Sequence, residues 1–232
     1  MAFASNFGRI LSPTFQPNSQ AKKAGGWWLA GGIDPDDCIA AYQPKGAASY
    51  AASKVNLANS GTHDLSDGTA YPSWDASKGW TFTKANSQYL ISDINPAAGN
   101  STIVRVANVD KSSGTIYGGF NYDGGVGKNA EYVEILTWGN TRFGKGRNTD
   151  DNSGVLASGC YAIAGYKCYK NAELKATISG VWDGGTVYPM HIGRRNGNVG
   201  IVYFGGDILA FAVYSIDISS YISDLVTAMN DL

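Results

Sequence analysis

A chain of 232 residues, 44% of them hydrophobic, carries enough apolar side chain for one large core and does not read as disordered. Its 18 basic and 19 acidic side chains leave a net charge of −1, so there is no basic excess to hold a phosphate backbone and nucleic-acid binding is disfavoured. No apolar run is long enough to cross a bilayer, so membrane insertion is not expected either.

Residues 1–24 differ from the rest. Phe3, Phe7, Ile10, Leu11 and Phe15 are spaced irregularly among Ser, Asn, Gln and Pro, and the stretch ends in Ala21-Lys22-Lys23-Ala24. It is too polar for a core of its own and reads as an N-terminal arm or attachment segment, more a loose arm than a strap on a neighbouring subunit. It lacks the charged-then-apolar order of a secretory signal. A domain is expected over 25–232. Its first part, to about residue 80, is rich in loops: the apolar island Gly25-Gly26-Trp27-Trp28-Leu29-Ala30-Gly31-Gly32, then Asp36 to Tyr42 as a strand or one helical turn, then an alanine-rich stretch from Lys45 to Leu57 that suits a short helix.

From Gly79 the hydrophobic period becomes two. Strands are predicted at Trp80–Thr83, Gln88–Ile91, Ser101–Ala107, Thr115–Tyr122, Tyr132–Trp138, Cys160–Ala164, Ala172–Ile178, Val199–Phe204 and Asp207–Tyr214, with Gly124 to Gly127 as a turn. Many of the 30 glycines fall between these runs, where turns need them. Short strands at close intervals without intervening helices indicate an all-β antiparallel sandwich of the jelly-roll type. Only the C-terminus departs from the pattern. Tyr221, Ile222, Leu225, Val226 and Met229 share one helical face. A short helix is expected there, with Ser219 or Ser220 as N-cap, lying over one end of the sandwich. The odd cysteine count (Cys38, Cys160, Cys168) rules out a complete intrachain disulfide framework, and all three read as buried thiols.

The closing segment His191-Ile192-Gly193-Arg194-Arg195, then Phe204-Gly205-Gly206-Asp207-Ile208 running to Tyr214 and a short helix, resembles the last strands of concanavalin A-like lectin/glucanase domains, including their laminin-G-like branch. The block holding Trp27-Trp28, Cys38 to Ala47, Asn56 to Asn59, Trp74-Asp75 and Gly79 to Phe82 is similar to lectin-like proteins of tailed bacteriophages and prophages. The resemblance implies a jelly-roll domain on a virion, of the tail-fibre or adhesin type, made in the host cytoplasm. Its partners would be host-surface or mucosal glycans or neighbouring virion proteins. A homo-oligomer is expected, since such assemblies are symmetric.

Catalysis is not expected. A retaining glucanase needs two carboxylates about 5 Å apart, whereas Glu131 and Glu134 stand three apart and face opposite sides of a strand. His63 and His191 have no nucleophile-elbow serine to serve, and Gly124 to Lys128 is not a phosphate loop. Glycoside hydrolysis remains the minor alternative.

Sugars stack their C–H faces on aromatic rings while Asn, Asp and Arg take the hydroxyls. The candidate glycan-binding residues are therefore Trp138, Asn140, Arg142, Trp182, Asp183, Arg194 and Asn196. No cofactor is expected apart from candidate calcium ligands at Asp150, Asp151 and Asn152, with a second acidic cluster at Asp34, Asp36 and Asp37. Two functions compete: glycan recognition through the loops, or particle decoration and assembly without sugar.

Overall fold

The protein is described as a computed structural model covering residues 25–112, 114–123, 126–135, 141–146, 148–150, 158–179, 181–182, 188–197 and 201–232. The expected arm, 1–24, lies outside these residues. The strands are β1 (Cys38–Tyr42), β2 (Ser66–Asp67), β3 (Ser73–Asp75), β4 (Gly79–Phe82), β5 (Leu90–Ile91), β6 (Ser101–Ala107), β7 (Gly114–Asp123) and β8 (Val126–Ile135). After them come β9 (Thr141–Lys145), β10 (Asn148–Asp150), β11 (Gly159–Ala164), β12 (Lys167–Lys170), β13 (Glu173–Thr177), β14 (His191–Ile192), β15 (Arg195–Gly197) and β16 (Gly206–Tyr214). The helices are α1 (Tyr50–Ser53) and α2 (Ile222–Asn230).

Two sheets face each other. The first runs β13-β12-β11-β6-β16-β4-β3, with β1 also paired to β16. The second runs β10-β9-β8-β7-β14-β5-β2, with β15 added parallel to β7. All other named pairings are antiparallel, so the all-β sandwich expected from the alternation is the fold. Between the sheets lie Val104, Val106, Tyr161, Ile163, Ile208, Phe211 and Val213 from the first, against Leu90, Tyr117, Val133, Ile135, Phe143 and Ile192 from the second.

The middle of the first sheet is buried on both faces, which explains why β16 is apolar throughout instead of alternating. Ile208 and Phe211 both point inward although three apart. A bulge at Leu209, where pairing jumps from Ile208↔Val106 to Ala210↔Arg105, absorbs the odd residue. Many of the outward side chains of this sheet are small (Ala41, Ala162, Ala164, Ala210 and Ala212), set among Cys38, Ile103, Cys160 and Tyr214. Onto them pack Trp27 of a 3-10 segment and Ile222, Leu225, Val226 and Met229 of α2. The helix therefore lies on the sheet's outer face, not over one end as expected, because the alanines leave room for it. Its N-cap is Tyr221 with no side-chain hydrogen bond, so the expected serine cap is absent.

Other local expectations resolve in physical terms. Pro35–Asp37 is a 3-10 turn capped by Asp34, and β1 follows directly, so both readings of that stretch are realised. The alanine-rich stretch yields only the single turn α1, capped by Ser49. The expected strand at Val199–Phe204 is absent over its described part, 201–204, where Tyr203 makes only isolated bridges. Cys160 and Cys168 face different cores and do not oppose each other, since Ile163 pairs with Cys168 and Tyr161 with Lys170. All three thiols are free and buried, and burial pushes Cys38 up to about 12 and Cys160 to about 11.

Candidate functional site on the outer face of the second sheet

Alternation along β8 sorts its side chains. Val133 and Ile135 enter the core, and Glu131 shares their side. Ala130, Tyr132 and Glu134 take the other, outer face. Glu131 and Glu134 thus diverge as their spacing requires. Glu131 is fully buried and pairs with the equally buried Lys145, whose ammonium also donates to the carbonyls of Ala97 and Asn100 at 2.9 Å each. Thr102 donates to the same carboxylate at 2.8 Å and hydrogen-bonds the Tyr117 hydroxyl. This network closes one end of the sandwich and is structural.

The outer face carries the polar aromatic chemistry. Register places His191 and Arg195 beside Gly118, Gly118 beside Tyr132, and Tyr132 beside Gly144. A Cβ at Gly144 would fall 2.3 Å from the Tyr132 ring, so that glycine is what lets the ring lie across the strand. Phe120 meets Tyr132 edge-on at 5.9 Å, and the Arg195 guanidinium sits 4.9 Å from the Phe120 centroid and 5.7 Å from Tyr132. Arg195 and Arg142 flank the Glu134 carboxylate at 3.7 and 3.8 Å. Thr115, which pairs with Glu134, is buried, and its hydroxyl finds no partner among the described residues.

Beside this group stands a stack. The Tyr89 ring lies parallel to His191 at 5.3 Å, and the Arg194 guanidinium covers Tyr89 at 3.6 Å. Arg194 Nε donates to His191 Nδ1 at 2.9 Å. Burial, helped by the Arg194 charge, lowers His191 to about 4, so at neutral pH its ring is uncharged and able to accept that bond. Hydrogen bonding with Thr69 lowers the Tyr89 phenol, with a smaller contribution from Arg194. Arg194 is thus stacked on one ring and held by another, while its terminal amino groups have no protein partner among the described residues.

Of the residues singled out by sequence, Arg142 and Arg194 come to this face, while Asn196, in β15 beside it, donates to the Pro189 carbonyl at 2.9 Å. Trp182 is half-buried at the sandwich end, with the Lys145 ammonium 5.6 Å from its ring. Trp138, Asn140 and Asp183 lie outside the described residues, as do Asp151, Asn152 and the Asp150 side chain. Asp34 spends its carboxylate on the Asp36 amide, and no group of three or more metal-binding side chains occurs among the described residues. Sequence reasoning missed Tyr89, Phe120 and Tyr132, whereas Arg195 stood within the polar run Arg194-Arg195-Asn196 that it did mark. The available signal was large aromatics at positions where a strand's solvent face would be polar. His63, in a bend with a left-handed backbone (φ 60°), hydrogen-bonds Asp93 at 2.7 Å.

No protein-family model and no curated protein matches the chain. Solved structures do. Trypanosoma rangeli sialidase in complex with sialic acid aligns over 84% of this chain and 33% of its own, at 12% identity and a TM-score of 0.59. A mutant of the same sialidase displaying trans-sialidase activity aligns over 85% and 34%, at 12% identity and 0.57. An HCR/D mutant aligns over 85% and 52%, at 15% identity and 0.50. The chain spans about a third of the sialidase chains and about half of HCR/D. These matches overturn the expectation that the chain is not an enzyme. That expectation rested on the missing carboxylate pair, whereas sialidases use a Tyr nucleophile, so the missing pair excludes nothing. At such identities the likeness is one of fold: an all-β sandwich that this chain shares with sialidases and HCR/D.

Proposed function

We propose that the chain is a carbohydrate-binding domain that presents the outer face of its second sheet to glycans bearing a carboxylate. The observation that carries this reading is Arg194. Its plane is fixed on Tyr89 and its Nε on His191, so the terminal amino groups are pre-organised to take a carboxylate in two parallel hydrogen bonds. Arg142, the more open of the two arginines at Glu134 (30% side-chain exposure against 13% for Arg195), extends the positive character of the face. The sialic acid bound in the sialidase structure supports an acidic sugar as the first probe. The setting we propose, a tailed-phage or prophage particle, rests on the resemblance of residues 26–82.

A glycan array containing sialylated and neutral oligosaccharides tests the reading, followed by calorimetry on Arg194→Ala. Saturable binding to carboxylate-bearing glycans, weakened at least tenfold by Arg194→Ala at an unchanged melting temperature, is expected. Absence of binding, or binding indifferent to Arg194, overturns it. Incubation with a fluorogenic sialoside reads separately whether the chain also cleaves what it binds.

A further inference from the structure

A second cluster lies beside the first and takes no part in it. α1 and the segment 66–71 bring together Tyr50, Lys54, Asp67 and Tyr71. The two Tyr rings stand 5.8 Å apart, tilted by 32°, and Tyr71 is 57% exposed, among the most open large side chains described. The Lys54 ammonium lies 4.4 Å from the Tyr50 centroid and 2.8 Å from Asp67 Oδ1. Tyr50 donates to the same oxygen at 2.6 Å. Asp67 Oδ2 has no partner among the described residues.

The electrostatics of the cluster are settled by these contacts. Burial alone would raise the Asp67 carboxyl, but the hydrogen bonds from Lys54 and Tyr50 overcome this and hold it below its ordinary value. Burial, and then the bond to Asp67, pushes the Tyr50 phenol up, so it stays a donor. The result is an ionised, immobilised acceptor next to an open ring, with its charge balanced by one ammonium. A charge-balanced site of this kind does not select an anion. It suits a neutral polyol that has one apolar face for the ring and a hydroxyl to donate to Oδ2.

We infer that Tyr71, backed by Tyr50 and flanked by Asp67 and Lys54, is a subsite for a neutral hexopyranose, its C–H face on the Tyr71 ring and a hydroxyl on Asp67 Oδ2. This rests on the carbohydrate reading above and extends it. The subsite is physically continuous with the arginine stack: a Cβ at Gly68 would touch the Tyr89 ring at 2.6 Å, and the Thr69 hydroxyl meets the Tyr89 hydroxyl at 3.2 Å. A ligand spanning both is an oligosaccharide with a neutral residue over Tyr71 and an acidic one at Arg194.

Amide NMR titrations of the full-length protein read the two places separately. The probes are the methyl glycosides of galactose, glucose, mannose and N-acetylglucosamine, and of N-acetylneuraminic acid for the arginine face. At least one neutral glycoside is expected to shift the amides of residues 67–71 saturably. Tyr71→Ala weakens that titration at least tenfold, Tyr71→Phe largely preserves it, and neither changes the response of residues 191–195 to the acidic glycoside. If no neutral glycoside moves residues 67–71, or if Tyr71→Ala leaves the titration intact, the subsite is wrong, whatever happens at Arg194. A neutral response at 67–71 with no acidic response at 191–195 keeps the subsite and removes the arginine face. Because Tyr71 is exposed, both variants are expected to melt with wild type, which separates lost binding from lost fold.

Discussion

Glu131 and Lys145 are fully buried, and each has its charge met by the other and by neutral donors or carbonyls. Removing one partner leaves an uncompensated charge in a medium that cannot solvate it, at a cost of about 3–5 kcal/mol. Lys145→Ala and Glu131→Ala are each expected to lose that much in urea unfolding, while the double replacement Glu131→Leu with Lys145→Met loses far less than their sum. His191 gives a different signature. In the unfolded chain its imidazole takes a proton near pH 6.5, but in the fold only near 4. Above 6.5 neither state is protonated and the group is neutral to stability. Between 6.5 and 4 only the unfolded chain gains the proton, so stability falls as pH falls through that window. Urea midpoints at pH 7.5 and 5.5 should therefore diverge in wild type and converge in His191→Gln, whose amide oxygen can still accept from Arg194.

Elements here depend on what their neighbours lack. α2 can lie on the first sheet because Ala162, Ala164, Ala210 and Ala212 keep that surface low, and it then buries Ile222, Leu225, Val226 and Met229, each worth about 1.5–3 kcal/mol. Ala212→Leu is expected to lift the helix and destabilise by about 1–3 kcal/mol, and Leu225→Ala to cost about 2–5 kcal/mol, both read by thermal unfolding. The β3–β4 hairpin depends on Gly79, at φ 84°, where an added Cβ would stand 2.3 Å from the Ile208 carbonyl oxygen. Gly79→Ala should therefore disturb the pairing of β4 with β16, seen as faster amide exchange at Trp80 and Thr81.

At the scale of the molecule, the two sheets do different work. The first is covered on its outer face by the helix and the 3-10 segment. The second keeps rings and guanidinium groups on its outer face, so the proposed recognition surface belongs to that sheet. Binding of an acidic glycan there should weaken with added salt, because the attraction at the partly exposed Arg142 is screened. Binding of a neutral glycoside over Tyr71 should barely respond. Calorimetry at 50 and 500 mM NaCl compares the two.

How far the sequence reached depended on how local each cause was. The short apolar runs Ser101–Ala107 and Asp207–Tyr214, glycine at the turns, and the apolar face from Tyr221 to Met229 determined an all-β sandwich with a C-terminal helix, because strand propensity, period and turn chemistry act within a few residues. The three-residue offset of Glu131 and Glu134 fixed their divergence for the same reason. Tertiary structure alone decided that β16 is buried on both faces and that α2 lies flat on alanines. It also decided that Lys145, which no pattern marks, neutralises Glu131, and that Tyr89, more than a hundred residues from Arg194, becomes its platform. Those outcomes depend on which strands become neighbours, and pairing between distant strands is set by the packing of the whole sandwich.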